Sequence, residues 1–208
     1  MSAGIVDIAT ATPGKHIPNS FFDSIGLTDE WIRRRTGVGA RWWMDDSDEL
    51  DDVAARVCAP LVERHRDRVT VSALIVVSSS AGGAEPGIAQ SVATKSGLPT
   101  DVLAFDMSAA CSGFVYGLIN ALSLCESGDG GAVIVCCVEA MSRMLDKSDR
   151  NTGPLFGDGA AAVADGGGDD ELGTRLDSQV PARLGRNGDL TALADRHHPV
   201  KATAAWAV

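Results

Sequence analysis

Short continuous apolar runs alternate along this chain with stretches whose apolar residues recur at helical spacing. Gly4 to Thr10 reads as a first strand, ended by Pro13-Gly14. Thr28-Asp29-Glu30 has the form of a helix start, with acidic residues in the first turn, and Trp31 to Arg35 follows as that helix. Asp48 to His65 carries Leu50, Val53, Ala54, Val57, Cys58 and Leu61 in a 3.6-residue rhythm and predicts a second helix, disturbed in its second half by Pro60. Ala73 to Val77 is apolar throughout, as in a strand buried on both faces. Pro86 is expected to open a third helix and Gly97 to close it.

Val102 to Phe105 predicts the next strand, which runs directly toward Cys111. Phe114, Val115, Leu118, Ile119 and Leu122 mark one face of a long helix, in which Gly113 and Gly117 permit close backbone approach. The run Gly128-Asp129-Gly130-Gly131 stops that helix, and Val133 to Val138 returns as a buried strand. A loop from Arg143 to Phe156 leads to a Gly157-Asp158-Gly159 turn and a strand of small residues, Ala160 to Ala164. Strands alternating with helices predict an α/β fold: a mostly parallel sheet with helices on both faces. Gly166-Gly167-Gly168-Asp169-Asp170 breaks the pattern, one more strand is expected over 172–178, and 179–208 shows no period and reads as a divergent tail.

Composition narrows the function. Aromatic residues make up only 5% of the 208 residues, so the core must be aliphatic. A net charge of -10 disfavours nucleic acid, since an acidic chain repels phosphate backbones. Within that acidic chain, Arg33, Arg34, Arg35 and Arg41 form a local basic cluster. Five cysteines (Cys58, Cys111, Cys125, Cys136 and Cys137) are odd in number and form no C-x-x-C pair, which points away from disulfides and zinc and toward a reducing compartment. The apolar runs are strand-length and too short to span a bilayer, and no signal peptide is evident, so a cytoplasmic protein is expected.

The stretch Asp106-Met107-Ser108-Ala109-Ala110-Cys111-Ser112-Gly113-Phe114 holds the chemistry. A thiol at the start of a helix faces the positive end of the helix dipole, which favours the thiolate, and backbone N–H groups there can hold an oxyanion. Periodicity alone is equally served by a buried structural cysteine. The segment resembles the active-site signature of the ketosynthase III family of β-ketoacyl-acyl carrier protein synthases, among the thiolase-like condensing enzymes. Two more segments resemble that family in the same order: Thr28 through Val38, and Asp149-Arg150-Asn151-Thr152 followed by Leu155-Phe156-Gly157-Asp158-Gly159-Ala160-Ala161-Ala162. The resemblance covers roughly residues 4–178 and implies a thiolase-like half-domain over 1–178.

The resemblance implies that Cys111 takes an acyl group from acyl-coenzyme A as a thioester. It implies that Trp31 and Arg150 sandwich the adenine, that Thr28 and Arg35 contact the nucleotide and phosphate end, and that Phe156 lies by the acyl pocket. Trp and Arg planes stack on flat bases and arginines suit phosphates, although a half-buried Trp on a solvated basic helix would read the same. It further implies an acyl carrier protein as second partner and a dimer, with itself or with a related condensing enzyme. No permanently bound cofactor and no metal are expected.

The family's second half supplies a histidine and an asparagine for decarboxylative condensation, and neither motif is found here. His197 and His198 stand outside any helix or strand pattern, and His16 and His65 resemble nothing catalytic. Glu85 stands before Pro86 where the family often has an aromatic residue. The chain is therefore expected to load an acyl group but not to condense it alone. The other readings are an inactive truncated subunit that dimerises with a full-length condensing enzyme, and a thiolase or hydroxymethylglutaryl-type synthase.

Overall fold

The computed structural model describes residues 4–83, 85–127 and 131–166. The strand expected over 172–178, the tail from 179 and the His197-His198 pair lie outside the described residues. The chain runs β1 (Gly4–Ala11), β2 (Lys15–Pro18), a 3-10 segment (Asn19–Ile25), α1 (Asp29–Thr36), β3 (Ala40–Trp43), α2 (Leu50–His65), β4 (Val71–Val77) and α3 (Ala89–Lys95). It continues through β5 (Leu103–Met107), a 3-10 turn (Ala110–Ser112), α4 (Gly113–Ser127), β6 (Ala132–Ala140), a second 3-10 turn (Met141–Arg143) and β7 (Asp158–Gly166).

Five strands form the main sheet in the order β1-β7-β6-β4-β5. β4 pairs in parallel with both β5 and β6, whereas β7 runs antiparallel to β6 and to β1. Helices cover both faces. Alternate residues of the central strands divide between them, as strand geometry requires. Leu74, Val76, Ile134, Cys136 and Val138 face α2 and α3, together with Val53, Val57, Cys58, Leu61 and Val92. Ala73, Ile75, Val77, Val133, Val135 and Val163 face α4, together with Ala121 and Cys125. β2 and β3 form a separate two-stranded ribbon. Beside it, Phe22, Leu27, Ile32, Val38 and Trp43 make a third small core.

Some boundaries follow the pattern-based expectation and others differ from it, each for a local reason. Thr28 is the N-cap of α1, accepting from the Trp31 N–H at 3.2 Å, and Gly37 closes the helix at φ 75°. The third helix starts at Ala89, not at Pro86. The Asp106 carboxylate accepts the N–H groups of Ile88 and Ala89, and so fixes the first turn there. Asp158 and Gly159 are not turn residues but the first residues of β7. The ribbon of β2 and β3 carries no clean apolar alternation in the sequence, and Arg41, in β3, is buried.

α4 packs on the sheet through Gly113, Gly117, Ala121 and Cys125, spaced four apart along one face. A Cβ at Gly113 would lie 2.4 Å from Val77 Cγ1, and one at Gly117 would lie 2.8 Å from Val135 Cγ1. The opposite face of α4 leaves Val115, Tyr116 and Ile119 more than half exposed. No helix among the described residues is long and apolar enough to cross a membrane.

Asp165 is an apolar-core position filled by a carboxylate. It lies on the α4 face of β7, is fully buried, and neither carboxylate oxygen has a hydrogen-bond partner among the described residues. Burial pushes its pKa from 3.8 up to about 6. An unfolded chain therefore releases this proton near pH 3.8 and the folded chain only near 6. Stability is fully present below the lower value and falls as pH rises through the upper one, by on the order of 3 kcal/mol in all. Replacing Asp165 with Asn is expected to flatten the decline between pH 4 and 6 in urea-denaturation midpoints; an unchanged slope would contradict this role.

The close packing of α4 gives a second expectation. Gly117→Ala gains helix propensity of ~1 kcal/mol. It nevertheless drives a methyl into a stiff valine, and overpacking of this kind costs about 1–3 kcal/mol. Net destabilisation is expected, partly relieved in the Gly117→Ala/Val135→Ala double variant relative to the sum of the singles. A Gly117→Ala protein more stable than the parent in a thermal melt would show that the helix has room to move.

Candidate active site

The parallel strands β4, β5 and β6 end together, and the chain leaving β5 turns at once into α4. Ala110 makes that turn in the left-handed region at φ 45°, which costs a residue with a Cβ about 1 kcal/mol. Ser112 N–H donates to Ala109 O, and Gly113 N–H to Ala110 O, closing a 3-10 turn around Cys111. Cys111 thus sits in the turn just ahead of α4 rather than inside the helix, and its thiol is exposed.

The other thiols are different. All five cysteines are free, but Cys58, Cys125 and Cys136 are buried and Cys137 is partly so. Burial pushes Cys125 up, helped by Asp165, and pushes Cys137 up to about 12, helped by Glu139. Cys136 is raised well above its ordinary value by a thiol–thiol hydrogen bond with Cys58 and by burial. Exposure therefore singles out Cys111 as the thiol that an external electrophile can meet.

The end of β4 beside this turn is held by a carboxylate. Glu139 accepts from Ser79 N–H at 2.7 Å, from Ser80 N–H at 3.0 Å and from Ser80 Oγ at 2.5 Å. Ser78 N–H donates to Met107 O, so the loop leaving β4 is tied to both neighbouring strands.

A second cluster lies on α1 and the loop before β7. Thr28 caps the helix, and Trp31 is 40% exposed. The Arg35 guanidinium lies 5.1 Å from the Trp31 ring centroid, so in this structure Arg35 itself covers one face of the indole. Arg150 reaches the same place from the loop, with Nη2 3.4 Å from Gly26 O, just ahead of the Thr28 cap. Its own loop is a closed turn: Asp149 accepts from Asn151 N–H at 3.0 Å and from Thr152 Oγ1 at 2.5 Å, which holds its carboxyl below the usual range. Thr28, Trp31 and Arg35 thus belong to α1 and its cap, and Arg150 approaches the chain two residues ahead of that cap. Phe156 is half-buried, and its carbonyl accepts from Trp43 Nε1 at 3.2 Å. Among the described residues no hydrogen bond joins Cys111 to any of these five. No group of three or more metal-capable side chains occurs among the described residues.

The basic cluster seen in sequence separates in space. Arg33 pairs with Asp29 at 2.9 Å on the surface, whereas Arg41 is buried and takes no part in an exposed basic face. Arg41 bonds Asn19 Oδ1 at 2.6 Å and Pro154 O at 2.9 Å. Asp158 is also buried and accepts from Met44 N–H, Ser142 N–H and Ser142 Oγ at 2.7, 2.7 and 2.5 Å. The Gly-Asp-Gly motif is therefore a junction of three segments. Asn19 and Glu139 carried no sequence signal, being single polar residues in otherwise ordinary stretches.

Comparison with known proteins bears on the fold and the family. Residues 105–182 match the family model of 3-oxoacyl-[acyl-carrier-protein (ACP)] synthase III. The β-ketoacyl-[acyl-carrier-protein] synthase III of Staphylococcus saprophyticus is 34% identical over 168 residues, which cover 80% of this chain and 53% of that protein. The crystal structure of 3-oxoacyl-(acyl carrier protein) synthase III from Pseudomonas aeruginosa matches with a TM-score of 0.73 at 33% identity, covering 82% of this chain and 52% of that one. A priming β-ketosynthase from a polyketide biosynthetic pathway matches with a TM-score of 0.74 at 26% identity, covering 81% and 51%. The chain spans about half the length of the relatives it matches. Over the matched residues, with Cys111 in its turn between β5 and α4, the chain belongs to the 3-oxoacyl-[acyl-carrier-protein] synthase III family of thiolase-like fold.

Proposed function

We propose that Cys111 accepts an acyl group from acyl-coenzyme A. The observation that carries this reading is the exposed thiol in a strained turn at the head of α4, in a chain whose other thiols are wholly or partly buried. The sulfur attacks the thioester carbonyl, a new carbon–sulfur bond forms to Cys111, and the bond to coenzyme A breaks. The Cys111 proton leaves with the coenzyme A thiol, so the exchange balances without a redox partner. Ser112 and Gly113 spend their N–H groups inside the turn, so neither is free to hold the oxyanion in this arrangement.

Trp31, Arg35 and Arg150 suit the nucleotide end of that substrate. An indole face and two guanidinium groups offer stacking for a base and charge-assisted bonds for phosphate. Thr28 borders the same wall, and Phe156 is assigned to the acyl pocket. In a complete enzyme the loaded acyl group would be condensed with malonyl-acyl carrier protein. No residue in this sequence fits the histidine and asparagine of that step, so the proposal for this chain stops at loading.

A second reading is an inactive subunit that dimerises with a related condensing enzyme. The exposed apolar face of α4 favours it, since charge-free surface of this kind is suited to being covered.

The test is intact-mass spectrometry of the purified chain after incubation with acetyl- and longer acyl-coenzyme A. A single acyl adduct is expected, absent from Cys111→Ala. No adduct on a folded, soluble chain would reject loading and leave the subunit reading. An adduct that persists in Cys111→Ala would place the nucleophile elsewhere.

A further inference from the structure

α1 carries Thr28, Trp31 and Arg35 but has little apolar hold on the molecule. It is eight residues long and buries only Ile32. Its partner in the proposed nucleotide wall, Arg150, stands on a separate segment, the loop before β7, more than 110 residues later in the chain. A stacking clamp works only if the distance between its two walls is fixed. The direct contact between them is the long Arg150–Gly26 approach of 3.4 Å, at the weak end of hydrogen-bond geometry.

A buried polar chain joins the same two walls from behind. The Arg41 guanidinium donates to Pro154 O, in the loop of Arg150, at 2.9 Å, and to Asn19 Oδ1 at 2.6 Å. The Asn19 amide in turn donates to Asp29 Oδ1 at 2.8 Å and to Val38 O at 2.8 Å. Asp29 is the first residue of α1 and Val38 lies just beyond its last turn, so one side chain grips both ends of the helix. Arg41 and Asn19 are each 1% exposed.

Arg41 has no carboxylate partner among the described residues, and burial lowers its pKa to about 10, so it remains a cation at neutral pH. A buried cation without a counter-ion is expensive, and a stable fold alone would be served better by an apolar side chain. Its Nη2, however, donates to both the Asn19 and the Pro154 acceptors while Nη1 of the same rigid plane lies 3.4 Å from Ile17 O, so one guanidinium spans three segments, which the single nitrogen of a lysine does not do in the same geometry.

We infer that Arg41 and Asn19 are positioning residues that set the spacing between Trp31 on α1 and Arg150 on its loop, and thereby the preference of this site for a coenzyme A ligand over one that lacks the nucleotide. They touch no ligand; they act through the two walls. The inference rests on the nucleotide-binding reading proposed above.

The test measures equilibrium binding of coenzyme A and of pantetheine to the full 208-residue chain by isothermal titration calorimetry. The parent is compared with Arg41→Lys and with Asp29→Ala, the latter cutting the Asn19 link at an exposed site. Both variants are first checked by far-ultraviolet circular dichroism. In folded variants, coenzyme A affinity is expected to fall about tenfold or more, while pantetheine affinity stays within about twofold. Folded variants that keep the parent ratio, or lose both ligands in parallel, overturn the inference. If Arg41→Lys does not fold, Asp29→Ala decides alone. A parent chain with no preference for coenzyme A overturns the nucleotide reading itself, a result visible before any variant is made.

Discussion

The close seating of α4 on the sheet is the contact on which the rest of this molecule depends. Gly113 and Gly117 bring the helix backbone against Val77 and Val135 at distances that leave no space for a methyl group. That approach fixes where the helix begins, and the chain arriving from β5 has to reach it within a few residues. The left-handed Ala110 and the tight turn around Cys111 follow from this geometry. The thiol is exposed because the small residues below it do the packing.

The two faces of the sheet are unequal. One is covered by α2 and α3 and holds the larger aliphatic core. Among the described residues the other is covered by α4 alone, whose outward face presents Val115, Tyr116 and Ile119. Asp165 adds a buried carboxyl group without a hydrogen-bond partner among the described residues to this side, so the half of the molecule that carries the nucleophile is also the half whose core is less purely apolar.

Polar residues do the long-range joining. Glu139 binds the loop after β4, Asp158 binds the segments around Met44 and Ser142, and Arg41 with Asn19 binds α1 to the loop of Arg150. Each has its acceptors or donors on segments far apart in sequence. Buried groups of this kind are costly unless satisfied, so they hold a single arrangement of the segments they join. Apolar packing sets the layers; these side chains set the spacing of the loops between them.

The sequence by itself determined the elements built on local pattern. The rhythm of α2, the apolar runs of β4 and β6, the capped start of α1 at Thr28 and the small-residue passage into Cys111 were all legible, because each arises from neighbours within a few positions. Cys111, Trp31 and Arg150 could be named as candidates from motif order. Tertiary structure alone decided that β7 and β1 run antiparallel, that α3 waits for the Asp106 carboxylate, that β2 and β3 form a ribbon, and that Arg41 leaves its arginine neighbours for the interior. The physical reason is range: a strand's direction and a buried cation's partners are fixed by residues such as Pro154, more than 100 positions away, and no local periodicity records them.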